Sequence, residues 1–216
     1  MNQNVPNLSK PNGSVSAVAP RRATLIALAG ASVGLFVAML ATGSDIEHDA
    51  ELVDIVAAYD QSKGAMQIGS YAGMVLVGLL LFFGAALRTT LRSRLRTWLA
   101  DVAFLGFAGL AATIASWVVT DLAMWKAVDF GDESAIRTLA TISDAGFLPL
   151  MAAMIATYIG TGLAGLRTGT LPKWLAIASI GIGVVAPLGP LGFIGTMLLP
   201  VFIVATALTV RIDSAS

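Results

Sequence analysis

From Ala65 to Leu87 the chain carries no charged side chain, and similar apolar runs recur along it. A helix rises 1.5 Å per residue, so about 20 such residues cross the roughly 30 Å hydrocarbon layer of a bilayer. In water, a helix of this kind would leave most of its circumference apolar and exposed. The composition points the same way: of 216 residues, 56% are hydrophobic and 12% charged, with mean hydropathy +0.82. A soluble domain carries about 25% charged residues, so this chain lacks the charge to cover a water-facing surface. That excludes an ordinary soluble enzyme, a disordered chain and a nucleic-acid binder. The absence of cysteine excludes a disulfide scaffold, thiol chemistry and thiolate metal sites.

The apolar runs predict an all-α polytopic transmembrane helix bundle of six spans. These are Ala23–Thr42, Ala65–Leu87, Trp98–Thr120, Ala145–Leu166 with a helical lead-in from Asp132, Pro172–Pro187 and Leu191–Val210. Only Leu188 to Pro190 separates the last two, so a re-entrant hairpin over Trp174–Val210 is the alternative to a pair. Helices are preferred to a barrel because the runs are continuously apolar, whereas a barrel strand alternates with period two. Residues 1–20, rich in Asn, Ser and Pro, read as a disordered tail. Arg21-Arg22 before a long apolar run reads as the flank of an uncleaved signal anchor rather than a twin-arginine export signal.

Formal charge sums to zero, yet the signs separate. Threading six spans places Lys10, Arg21, Arg22, the cluster Arg88/Arg92/Arg94/Arg96, Arg167, Lys173 and Arg211 on one side. The other side receives Lys63, Lys126 and Arg137 with most of the acids. The positive-inside rule then puts both termini in the cytoplasm of a cell whose Arg-, Ala- and Gly-rich usage suggests a bacterial source. Trp98 and Trp174 are expected at the cytoplasmic boundary, and Trp117 and Trp125 at the outer one, as an aromatic belt. The Arg cluster fixes topology and is the candidate contact for anionic lipid headgroups.

Lipid tails are as apolar as Leu, so the helices must associate by close packing of small residues. Gly30/Gly34 and Gly69/Gly73 supply two GxxxG pairs, expected to pack within the bundle rather than form a homodimer seam. Pro149 and Pro200 are expected to kink the fourth and sixth spans. In the outer loop 44–64, Leu52, Ile55, Val56 and Tyr59 follow helical spacing and predict a short amphipathic helix.

Candidate chemistry is sparse. His48, the sole histidine, could join Asp45 and Asp49 as metal ligands, although a histidine in an acidic loop is ordinarily solvated. With an acidic neighbour it would also be the acid–base pair of a lipid-acting enzyme. Asp101 sits at a helix start, where the dipole stabilises a carboxylate. Nothing charged lies at the centre of a span, which argues against a proton-coupled transporter with a midplane carboxylate. No catalytic set and no cofactor motif is present. The best remaining constellation is Gln67, Tyr71, Trp117, Asp121 and Asp144, a candidate outward-facing ligand pocket if their helices are neighbours. Otherwise these side chains join helices by hydrogen bonds, as Thr157, Tyr158 and Thr161 are expected to do. The reading is therefore a non-enzymatic membrane protein, accessory, regulatory or envelope-associated, with a small-solute transporter or binder as the alternative. Its partners are the bilayer and, beyond it, a protein partner or a second copy.

The run Leu52–Arg92 and the loop Leu171-Pro172-Lys173-Trp174-Leu175 resemble a family of uncharacterised, mainly actinobacterial, multi-pass membrane proteins. The resemblance runs from Arg21 to Arg211. It implies a fold type and carries no site residues.

Overall fold

The computed structural model describes residues 21–42, 51–95, 97–188 and 190–212. The N-terminal tail, Arg96 and the loop bearing Asp45, His48 and Asp49 lie outside those residues, as does the side chain of Asp144. The described residues form α1 (Arg22–Ala41), α2 (Leu52–Arg94), α3 (Leu99–Phe130), α4 (Glu133–Ala145), α5 (Phe147–Thr168), α6 (Lys173–Val185) and α7 (Pro190–Thr209), with no strand among them. The fold is an all-α bundle.

Five helical stretches are long and apolar enough to cross a bilayer: α1, α2, α3, α4 with α5, and Gly192–Thr209 of α7. The chain is a multi-pass membrane protein. The remaining apolar helix, α6, has 13 residues, about 20 Å, short of the hydrocarbon thickness.

Two helices are much longer than the apolar runs within them. α2 has 43 residues, about 64 Å, and α3 has 32, about 48 Å. The amphipathic segment around Ile55 and Tyr59 is thus the first turns of α2 rather than a separate short helix. Asp54 in the first turn of α2, and Arg92 and Arg94 in the last, complement the helix dipole. α3 stops where Gly131 adopts a left-handed conformation, φ 66°, which a side chain would resist.

The projecting ends of α2 and α3 meet α4 in a cap with its own core of Ile55, Tyr59, Met66, Met124, Trp125 and Ile136. Trp125 is therefore buried in the cap and does not stand in an aromatic belt. Asp132 accepts a hydrogen bond from the Ala135 N–H at 3.1 Å and begins α4. Lys63 on α2 and Asp129 on α3 clasp the cap at 2.7 Å. That carboxylate holds the Lys63 ammonium above its ordinary pKa.

Below the cap, the remaining helices make a closed circuit: α1–α2–α3–α5–α6–α7 and back to α1. Its interior is filled. Phe83 and Phe107 meet edge to face at 5.3 Å, and Tyr158 and Phe202 lie 4.7 Å apart, centroid to centroid. Met154, Leu76 and Leu80 fill the space between. Close approach depends on glycine. A Cβ at Gly160 would stand 2.7 Å from the Ala103 nitrogen, and one at Gly106 would overlap the Thr157 backbone. These contacts make α3 and α5 a backbone-to-backbone pair, the arrangement that replaces hydrophobic drive inside lipid. Gly69 admits Thr42, and Gly73 admits Val118. Gly30 and Gly34 differ from the expectation, because nothing lies within 4 Å of where their Cβ atoms would stand. α1 turns Leu25, Ala29, Ser32 and Phe36 inward, which leaves the two glycines on the outer face.

Pro200 lies inside α7. Pro149 instead lies in the first turn of α5, where a missing N–H costs nothing. The interruption precedes it: α4 ends at Ala145 and Gly146 intervenes.

Candidate functional site

The basic residues converge on one end of the bundle. Arg88 Nε donates to Asp101 Oδ1 at 2.5 Å, and Arg92 Nη1 lies 3.4 Å from the same oxygen. The Arg88 guanidinium also stacks 5.7 Å above the Phe104 ring. Arg94 reaches the Gly169 carbonyl at 3.4 Å. Arg22 donates to the Leu208 carbonyl, and the Arg211 N–H to that of Thr170 at 2.8 Å. Arginines spaced along one helix thus become a lock between α2 and α3, with Asp101 as the shared acceptor. Trp98 and Trp174 stand exposed at the same end.

Polar groups in the middle are spent on joining helices. The Tyr158 hydroxyl donates to the Gly195 carbonyl at 2.8 Å, and Ser179 donates to the Tyr158 carbonyl at 2.6 Å. One residue therefore ties α5 to α6 and to α7. Thr157 bonds back to the Ala153 carbonyl at 2.8 Å, while the Thr161 hydroxyl is buried without a partner.

Of the candidate ligand-pocket residues, Gln67 and Tyr71 part from Trp117 and Asp121. Gln67 and Tyr71 lie one turn apart on the outer face of α2, and Tyr71 is 76% exposed. The opposite face of α2 carries Gly69, Ser70 and Gly73 against α1 and α3. Trp117 and Asp121 follow one turn apart on α3, both half-buried. Asp144 belongs to α4. Asp121 approaches Tyr59 of the cap rather than Gln67. Burial, and secondarily the Asp121 carboxylate, raise the Tyr59 phenol above its ordinary pKa. Asp121 makes no hydrogen bond or ion pair with the described residues.

Trp117 instead lines a groove of about 510 Å³ between α3 and the α4–α5 junction. Its α3 wall includes Leu105, Gly109, Ala112, Ser116 and Thr120; its α5 wall includes Pro149, Ala152, Ala153 and Ala156. Small side chains produce it. α3 and α5 touch at Gly109 and Ala153, where a Cβ on the glycine would stand 2.9 Å from that of the alanine. Toward the cap the alanines leave the space between the helices open. Leu105, Ala112, Ser116 and Ala152 are exposed, so the groove opens sideways out of the bundle rather than into its axis. The Trp117 indole nitrogen rests against Gly146 at the α4–α5 break, in the space a Cβ there would need. Thr113 and Thr120 bond back to their own helix at 3.0 Å. Trp117 Nε1 and Ser116 Oγ have no partner among the described residues. No motif in the sequence announces this groove. Its signal was the small-residue spacing Gly109/Ala112/Ser116 facing Ala152/Ala153/Ala156.

No group of three or more His, Cys, Asp or Glu side chains that could hold a metal occurs among the described residues. The His48 proposal falls outside them.

No protein-family model matches the chain, and no curated protein or solved structure matches it.

Proposed function

We propose that the chain is a non-catalytic integral protein of the bacterial cytoplasmic membrane, with both termini cytoplasmic and an accessory, regulatory or envelope-associated role. The observation that carries this reading is the bundle's interior. The aromatic pairs and Tyr158 fill the axis, and its hydrogen bonds join helix to helix. A conduit needs polar groups open to a continuous path, whereas Tyr158 and Ser179 are already paired. Purified protein in sealed vesicles tests it: ion and small-solute flux should equal that of empty vesicles, and protein-dependent flux would overturn the reading. Single cysteines are informative labels in a chain that has none. One placed at Ser93 should label from the cytoplasmic side, and one at Ser134 from the opposite side.

A second reading is favoured by one observation. The lateral groove is lined by small and apolar side chains and reaches Trp117 and Thr120 toward the cap, which suits a binder of an apolar or weakly polar molecule. Such a molecule would enter from the bilayer, not through the axis. Competition of an added apolar compound with a quencher of Trp117 fluorescence tests this reading.

A further inference from the structure

We propose that the α5–α6 turn, with Arg94, Arg167, Lys173 and Arg211 gathered around it, holds the phosphate of one anionic glycerophospholipid. The inference goes beyond the function proposed above and does not depend on the lateral groove.

The fold brings these cations together from four helices. Arg167 stands in the last turn of α5, and Lys173 opens α6. Between them, the Gly169 carbonyl accepts from Arg94 Nη1 of α2 at 3.4 Å. The Thr170 carbonyl accepts from the Arg211 backbone N–H at 2.8 Å, which brings the end of α7 to the same turn. All four side chains are exposed. The turn beneath them is fixed: the buried Thr168 and Thr170 hydroxyls bond at 2.7 Å, and Leu171 occupies the space that a Cβ on Gly165 would need.

Charge balance separates this site from the arginine cluster read in the sequence. Arg88 and Arg92 share Asp101, so their counter-charge is already inside the protein. Arg167, Lys173 and Arg211 make no side-chain hydrogen bond or ion pair with the described residues. Asp101 is the only carboxylate described at this end. Asp213 lies outside the described residues and would answer a single charge of the four. Cations held together without a counter-charge repel one another. A phosphate relieves that repulsion, and guanidinium forks match its oxygens.

The apolar surroundings select a lipid over a free anion. Trp174, next to Lys173, is 62% exposed, and Ile177 one turn further along α6 is 61% exposed. Leu166, next to Arg167, is exposed as well. The cations therefore stand where lipid-facing surface begins, the level at which a headgroup joins its chains and where indoles settle. Basic clusters between helices at this level are suited to anionic headgroups. A free phosphate would meet the charge and leave the apolar flank unused.

The test uses the full chain, delipidated in detergent and offered equal amounts of phosphatidylglycerol and phosphatidylcholine. Retained lipid is counted per protein by native mass spectrometry. Wild type should retain one phosphatidylglycerol, favoured roughly ten-fold or more, and the preference should shrink at high salt. Arg167→Gln, Lys173→Gln and Arg211→Gln should each lower it about five-fold, the worth of one basic residue near the headgroup. Lys173→Arg should keep it. Arg88→Gln, which removes a charge already paired, should leave it unchanged. Lipid-free melting temperatures like that of wild type show that each variant is folded. Absence of a preference, or an equal loss in Arg88→Gln, would overturn the site in favour of a diffuse positive field. Displacement of the lipid by millimolar inorganic phosphate would overturn the lipid assignment.

Discussion

The Tyr158 hydroxyl on α5 bonds the Gly195 carbonyl on α7 at 2.8 Å, five residues before Pro200. Proline has no N–H for the Thr196 carbonyl, so this stretch of α7 is held partly by its neighbour rather than by its own ladder. Tyr158→Phe should cost about 1 kcal/mol, the net value of one such bond. Tyr158→Ala also leaves a cavity beside Phe202 and should cost about 3–5 kcal/mol. Thermal unfolding in detergent checks both, and equal losses would show that packing alone matters there.

Two sets of glycines should respond oppositely to alanine. Gly106→Ala and Gly160→Ala force a methyl into facing backbone and should cost about 1–3 kcal/mol. Gly30→Ala and Gly34→Ala meet nothing within 4 Å, and should be neutral or stabilise by up to about 1 kcal/mol through helix propensity. Melting temperatures of the four variants in one detergent decide it.

Asp101 is the common partner of Arg88 and Arg92. These groups are more than a third exposed, so after solvent screening each pair contributes about 0.5–1 kcal/mol. A double-mutant cycle of Asp101→Asn with Arg88→Gln should show positive coupling of that size. The loss from Asp101→Asn alone should shrink at high salt. A coupling of zero would mean that the arginines act only on topology.

The cap should open separately from the bundle. Ile136 is 1% exposed in a core distinct from the one around Tyr158. Ile136→Ala should cost the cap about 2–5 kcal/mol and speed amide exchange in α4 and in Leu52–Gly64. Exchange around Met154 should not change.

The Lys63–Asp129 clasp adds a pH dependence to the cap. Because Asp129 raises the Lys63 pKa, its contribution is complete below the ordinary lysine value and fades as pH rises through the folded one. Protection of α4 against proteolysis should therefore be flat around neutrality and fall in alkali. In Lys63→Met the alkaline fall should be smaller.

Hydropathy placed the apolar runs on helices, as Ala23–Thr42 against Arg22–Ala41 illustrates. It did not locate helix ends. An apolar run reports the solvent around a helix, while α2 and α3 continue into water on the strength of cap packing that no local window contains. For Gln67 and Tyr71 a usable signal existed. Gly69 and Gly73 fix the inward face of α2, and helical geometry puts Gln67 and Tyr71 nearly opposite. The groove at Trp117 was harder to read, because it depends on side chains that are small on two helices at once.

The contact of α1 with α7 has a consequence for assembly. α1 leaves the ribosome well before α7 and cannot meet this neighbour until α7 has been made. Until then the flank bearing Leu25, Ala29 and Phe36 faces lipid or borrowed protein. A chain truncated before Pro190 should therefore insert and yet remain a crescent with an unsealed edge, which quality-control proteases could grip.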